Sequence, residues 1–82
     1  MKINQVAYLQ AEIANAYMRR HELKPREFVD LDAKYRILRF VEIGYEPFHL
    51  TGTQGVIGEV EEYIKIQREH AQMQSAIDSA TD

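Results

Sequence analysis

Eighty-two residues without a cysteine exclude disulfide staples and thiolate metal sites, and so short a chain buries only about 60% of its unfolded surface. An apolar content of 45% with no low-complexity tract is nevertheless that of a folding chain. The net charge of −3 and the pI near 5.6 argue against general binding to phosphate backbones, which calls for an excess of cations.

The N-terminal apolar positions are interrupted by Asn4, Gln10 and Glu12, so they do not form the unbroken stretch of a signal peptide. No run approaches the ~18 apolar residues of a membrane span. A soluble, cytoplasmic single domain is expected, and cysteine-free usage fits that compartment.

Ile3, Val6, Leu9, Ile13 and Tyr17 recur at steps of three and four, the spacing of one helix face. Ala7, Ala11, Ala14 and Ala16 add helix propensity, and a first helix is expected over about 3–20. Arg19, Arg20, His21 and Lys24 cluster at its end. They read either as a basic binding patch or, the favoured reading, as cations at the negative pole of a helix dipole.

Pro25 suits the first turn of a second helix, about 25–32, with Phe28 and Leu31 one turn apart. Asp32 either ends it or caps the next helix, since its carboxylate can accept from first-turn N–H groups. A third, apolar helix is expected over about 35–46, carrying Ile37, Leu38, Phe40, Val41 and Ile43. A buried strand competes there, because Tyr35 to Val41 is rich in β-formers, but the stretch is long for a strand and has no hairpin partner nearby.

Pro47 predicts that this helix ends or kinks near Gly44–Glu46. Thr51 or Thr53 is then a natural N-cap, with Gln54 at capping-box spacing from Thr51. Val56, Ile57, Val60, Tyr63, Ile64 and Ile66 form the stripe of a fourth helix, about 54–70. Beyond Gln67 the chain turns polar, with Met73, Ala76 and Ile77 as scattered apolar residues. The expected architecture is all-α: a bundle of four helices making one domain over 1–70, with a frayed, flexible polar extension at 71–82.

Chemistry-bearing residues concentrate between Gly44 and Gly55, which holds three of the four glycines. Glu46-x-x-His49 has the i, i+3 spacing of a carboxylate–imidazole metal pair, yet such sites need the pair twice with further carboxylates. A histidine satisfying backbone groups in a turn is the simpler reading, and neither a metal nor a cofactor is expected. Tyr45, His49 and Thr51 lack the oriented nucleophile and base of a catalytic set, and no catalytic residue is assigned. Thr51 to Gly55 could cradle an anion ahead of a helix, but lacks the Gly-Lys-Ser/Thr ending of a P-loop. A helix-turn-helix formed by the second and third helices would turn Lys34, Arg36 and Arg39 to DNA. Against this, the third helix is mostly apolar where a recognition helix must present polar side chains. His21 and His70 have no companions and are expected in solvent.

Tyr45-Glu46-Pro47-Phe48-His49-Leu50-Thr51-Gly52 resembles a family of short uncharacterised bacterial proteins. In these an apolar helix ends in Tyr-(Asp/Glu)-x-(Leu/Phe)-His-x-x-Gly or Ser, before a last helix with an Ile/Val–acidic–Tyr pattern. The matching positions are Tyr45, Glu46, Phe48, His49 and Gly52, then Val56, Ile57, Glu59, Val60 and Tyr63, and the similarity covers about 3–66. Gly44 and Pro47 depart from the pattern and leave the end of the third helix open. Members are often encoded beside a protein resembling an ADP-ribosyltransferase. The resemblance therefore implies the antitoxin-like or accessory half of a pair.

The favoured reading is a non-enzymatic module binding a protein partner through Tyr45, Glu46, His49, Thr51 and Tyr63, with the last helix and its extension as docking element. Alternatives are a helix-turn-helix-like DNA-binding regulator, or a small metal protein or enzyme using Glu46 and His49. So small a core also favours self-association as a homodimer, although no heptad pattern runs long enough to specify one.

Overall fold

A computed structural model describes residues 2–80 of the chain, with side chains over 4–76. Five helices follow one another: α1 Lys2–His21, α2 Pro25–Tyr35, α3 Ile37–Ile43, α4 Tyr45–Thr51 and α5 Thr53–Ala80. The all-α expectation holds, and no strand occurs among the described residues. The side chains of Ile3 and Ile77, and residues 81 and 82 of the extension, lie outside what is described.

The core follows the sequence stripes. Leu9, Ile13, Ala16 and Tyr17 of α1 face Val56, Ile57, Val60 and Ile64 of α5, both sets at helical spacing. Phe28 and Tyr35 of α2 and Ile37 and Val41 of α3 close the cluster. Ile13, Ile37, Val41, Val56, Ile57 and Val60 are shut off from solvent; burial of each stabilises the fold by roughly 1.5–3 kcal/mol relative to exposure. Gln10 donates from its amide to the Leu38 carbonyl at 2.8 Å, fixing α3 across α1.

The helix count is five and not four, because the stretch after Gly44, expected to lead as a turn into the last helix, forms a short helix of its own, and the boundary between the second and third helices moves to Arg36. Arg36 takes left-handed angles (φ 58°, ψ 49°) and separates α2, which runs on to Tyr35, from α3. Its N–H donates to the Asp32 carbonyl at 2.7 Å, while the Asp32 carboxylate accepts from the Leu38 N–H at 2.8 Å. Asp32 therefore does not end α2, which runs on to Tyr35; of the two roles that the sequence offered it takes the second, its carboxylate capping the first turn of α3.

The third helix ends at Gly44, within the range that Pro47 predicted, but Pro47 itself lies inside a new helix, α4. Proline is tolerated there because it stands in the first turn, where a missing N–H removes no helical bond. Thr51 caps nothing. It closes α4, its hydroxyl donating back to the Pro47 carbonyl at 2.8 Å. The chain turns into α5 at Gly52, whose φ of 91° an L side chain rarely adopts.

At the other end of α1, Leu23 N–H donates to Met18 O at 2.8 Å and Glu22 N–H to Arg19 O at 3.4 Å. This is a Schellman stop with a glutamate at the left-handed position, φ 54°. Pro25 opens α2 as expected, and the Lys24 N–H is held by the Glu27 carboxylate at 2.8 Å. Lysine has no acceptor, so only this half of a capping box forms.

The stretch α5 travels beyond the core is the other departure. The helix continues to Ala80, past the end expected near residue 70. No glycine or proline follows Gly58, so nothing in the backbone chemistry stops it. Ile64 is its last buried residue, and every side chain from Lys65 to Ala76 is exposed, Ile66 included. The result is an elongated molecule, 51 Å in its long dimension, with an α-helical arm leaving a small body.

Candidate functional site

Four of the five residues expected to bind a partner, Tyr45, Glu46, His49 and Thr51, lie on α4. None of the seven residues of α4 is fully buried, so the helix rests on the body and presents most of its surface. Tyr45 and His49, one turn apart, stack with ring centroids 4.7 Å apart and planes 9° off parallel. The Tyr45 hydroxyl donates to the Gln5 side chain of α1 at 3.3 Å. His49 Nδ1 lies 2.9 Å from the Tyr45 carbonyl oxygen. A carbonyl only accepts, so Nδ1 carries the proton and Nε2 is the nitrogen left for other contacts.

Glu46 is exposed in the first turn of α4, where a carboxylate favours the positive end of the helix. Leu50 is 80% exposed on the same short helix. Thr51, held by its bond to Pro47, turns no free hydroxyl proton outward. Among the described residues no three histidine, aspartate or glutamate side chains converge as a metal site would require.

Tyr63 stands apart from this group. It lies on α5, stacked on Phe40 at 4.2 Å, and Phe40 in turn meets Phe48 of α4 at 5.4 Å. Its hydroxyl donates to the Tyr35 carbonyl at 2.6 Å. Tyr63 is thus linked to α4 through Phe40 and Phe48, and its polar atom is occupied in holding the fold.

Beside Tyr63 the surface carries a shallow groove of about 280 Å³, lined by Arg36, Arg39, Phe40, Ile43 and Tyr63. The helix-turn-helix alternative, disfavoured from the sequence, would turn Arg36 and Arg39 to DNA. In the structure both are exposed, but α3 is one and a half to two turns long and buries Ile37 and Val41 against the core. The missed signal was Ile43, four residues after Arg39 at the end of an otherwise core-forming helix.

Two polar clusters tie the body together. His21, expected alone in solvent, stacks on Tyr17 at 4.3 Å and its Nε2 meets the Glu61 carboxylate at 2.7 Å. Arg20 joins the same carboxylate at 3.2 Å, so the basic end of α1 is an inter-helix clasp. These partners are substantially solvated, and each pair contributes below about 1 kcal/mol. His70 is exposed, as expected.

The second cluster centres on Tyr35, whose hydroxyl accepts from Arg68 Nε at 3.0 Å. That bond holds the Tyr35 phenol below the usual tyrosine range and raises Arg68. Burial, then the nearby Glu61 charge, pushes the Tyr17 phenol up.

No helix among the described residues is long and apolar enough to cross a membrane. Comparison with curated proteins and with solved structures finds no match. Over residues 9–67, more than half of its length and all of the helical body from Leu9 onward, the chain matches the family described as "Protein of unknown function (DUF3791)", and it belongs to that family.

Proposed function

We propose that this protein acts by binding another protein in the cytoplasm and carries out no chemistry of its own. The observation that supports this most is the arm of α5. From Lys65 to Ala76 it is continuous helix with every side chain exposed, among them Ile66 at 51% and Met73 at 62%. Large apolar residues on a helix that leaves its own core are what helix-in-groove recognition uses. The stacked Tyr45–His49 pair and Leu50 add a second exposed patch on α4, already ordered before any partner arrives.

The resemblance of the Tyr45–Gly52 stretch favours an ADP-ribosyltransferase-like protein as the partner, with this chain as its antitoxin-like or accessory half. Occlusion is the simplest mechanism. The exposed carboxylates of Glu59 and Glu62 on α5 would cover a cationic cleft while aromatic anchors supply most of the binding energy.

The test is co-expression with an ADP-ribosyltransferase-like protein encoded beside a family member, followed by size-exclusion chromatography and a transferase assay. A stoichiometric complex with suppressed activity is expected. Tyr45→Ala, His49→Ala and removal of residues 71–82 should each weaken it at least tenfold without lowering the melting temperature much. Separate elution with undiminished activity would reject this partner. Equal loss of folding and binding in both point variants would make the α4 pair structural.

Ile66 and Met73, seven residues apart, also lie on one face of the arm, so a second copy is a competing occupant. Sedimentation of the full chain across concentrations separates the two: a dimer abolished by Met73→Lys would assign the arm to self-association.

A further inference from the structure

We propose that the groove between α3 and α5 is a docking site for an acidic protein segment that inserts one large apolar side chain. This rests on the protein-interaction reading above but uses residues other than the α4 pair and the arm.

Charge is the first argument. The chain carries 13 acidic and 10 basic side chains, yet the guanidiniums of Arg36 and Arg39 at this groove have no hydrogen-bond or ion-pair partner among the described residues. Arg20 and Arg68, by contrast, are engaged with Glu61 and Tyr35. Two free guanidiniums at i, i+3 spacing offer paired donors that match a carboxylate. Arg36 also sits in a left-handed conformation that asparagine or glycine would take more easily. What arginine supplies there is a cation at the mouth of the groove.

The second argument is the apolar wall and floor. Ile43, at 72% exposure, ends a helix whose other aliphatic residues are buried or half-buried. Phe40 stacks on Tyr63, and the Tyr63 hydroxyl is anchored on the Tyr35 carbonyl, so the floor is fixed before binding. A volume of about 280 Å³ falls at the lower edge of small-molecule pockets, roughly 300–1,000 Å³. It suits a single bulky side chain better than a cofactor.

A nucleic acid would need a longer cationic track than two arginines, and Glu42 lies between Arg39 and Ile43 in sequence. A peptide with one apolar anchor and flanking carboxylates meets the groove's charge and shape together.

The probe is a random dodecapeptide display library, panned against the full-length protein and re-measured by fluorescence anisotropy with a labelled single-stranded oligonucleotide alongside. Enriched peptides should carry aspartate or glutamate around a leucine, isoleucine or phenylalanine. Their affinity should fall at least tenfold for Arg39→Glu and for Ile43→Ser, weaken with added salt, and stay unchanged for Asn15→Ala, an exposed position of α1. Both substituted positions are exposed, and circular dichroism melts check that the variants fold. Absence of enrichment, enrichment of basic peptides, affinity insensitive to either groove variant, or oligonucleotide binding lost with Arg39→Glu would each overturn the inference. If the α4- and arm-dependent complex survives Arg39→Glu and no groove-dependent peptide emerges, this inference falls and the wider reading stands.

Discussion

Tyr63 donates its hydroxyl to the main-chain carbonyl of Tyr35 at 2.6 Å, and that carbonyl ends α2. The last carbonyls of a helix have no intrahelical donor, so a side chain from α5 satisfies one. One turn further along, Arg68 takes the Tyr35 hydroxyl, so α5 holds this residue by both its backbone and its side chain. Removing the Tyr63 hydroxyl while keeping the ring isolates the first contact. Tyr63→Phe should destabilise by about 1 kcal/mol, the net worth of a part-buried hydrogen bond, read from the urea midpoint at unchanged slope. The Phe40 stack should persist, and binding through α4 should be unaffected. An unchanged midpoint would show that solvent replaces the bond without cost.

The same pair shows what sequence could and could not convey. α1 and α5 were legible because each repeats apolar residues at helical spacing against one partner, as Leu9, Ile13 and Tyr17 do against Val56, Val60 and Ile64. The α2–α4 region was not. Its first break falls on Arg36, and arginine carries no preference for left-handed angles; only the geometry of packing α3 behind Asp32 demands them. Pro47 was legible as a helix-terminus residue but ambiguous in direction, since proline marks both the end of one helix and the first turn of the next. Within the candidate site, the stacking of Tyr45 on His49 was not legible, because the stretch after Gly44 read as a turn and only the helix α4 places the two rings one turn apart. The separation of Tyr63 from them did not show, because it depends on where Phe40 and Phe48 stand, on two other helices.

Alkaline titration should resolve two of the five tyrosines by their surroundings. The Arg68 hydrogen bond lowers Tyr35 from 10.0, while burial followed by Glu61 raises Tyr17 from the same value. The two have opposite consequences for stability. Tyr35 loses its proton earlier when folded, so its contribution grows as pH rises from its lowered value to about 10 and is absent below. Tyr17 stays protonated longer when folded, so its contribution is complete below about 10 and is lost as pH climbs through its raised value. In a tyrosinate absorbance titration, the step removed by Tyr35→Phe should lie at lower pH than the step removed by Tyr17→Phe. The reverse order would contradict the Arg68 contact.

Gly44 joins α3 to α4 with the ring of Phe48 against it, and a β-carbon there would run into that ring. The ring also meets Phe40, so it has little room to retreat. Gly44→Ala should cost about 1–3 kcal/mol, as overpacking does. Because the cost arises from one contact, combining it with Phe48→Leu should give less destabilisation than the two single changes summed. Additive losses would mean that the glycine is required by the backbone and not by the ring.

The arm allows stability and binding to be separated. Ile64 is the last buried residue among the described side chains of α5, and Arg68 ties the helix to Tyr35 of α2. A chain ending after His70 keeps both, and the described side chains it loses, 71–76, are all exposed. Its unfolding free energy should therefore match that of the full chain within about 0.5 kcal/mol, the usual range for surface changes. Far-ultraviolet ellipticity should fall by the removed helix. A stability loss above about 1 kcal/mol would place the arm in the folded core's energetics and would remove the reason to regard it as a docking element. Equal stability combined with lost partner binding would be the behaviour of a helix kept outside the core for another molecule to use.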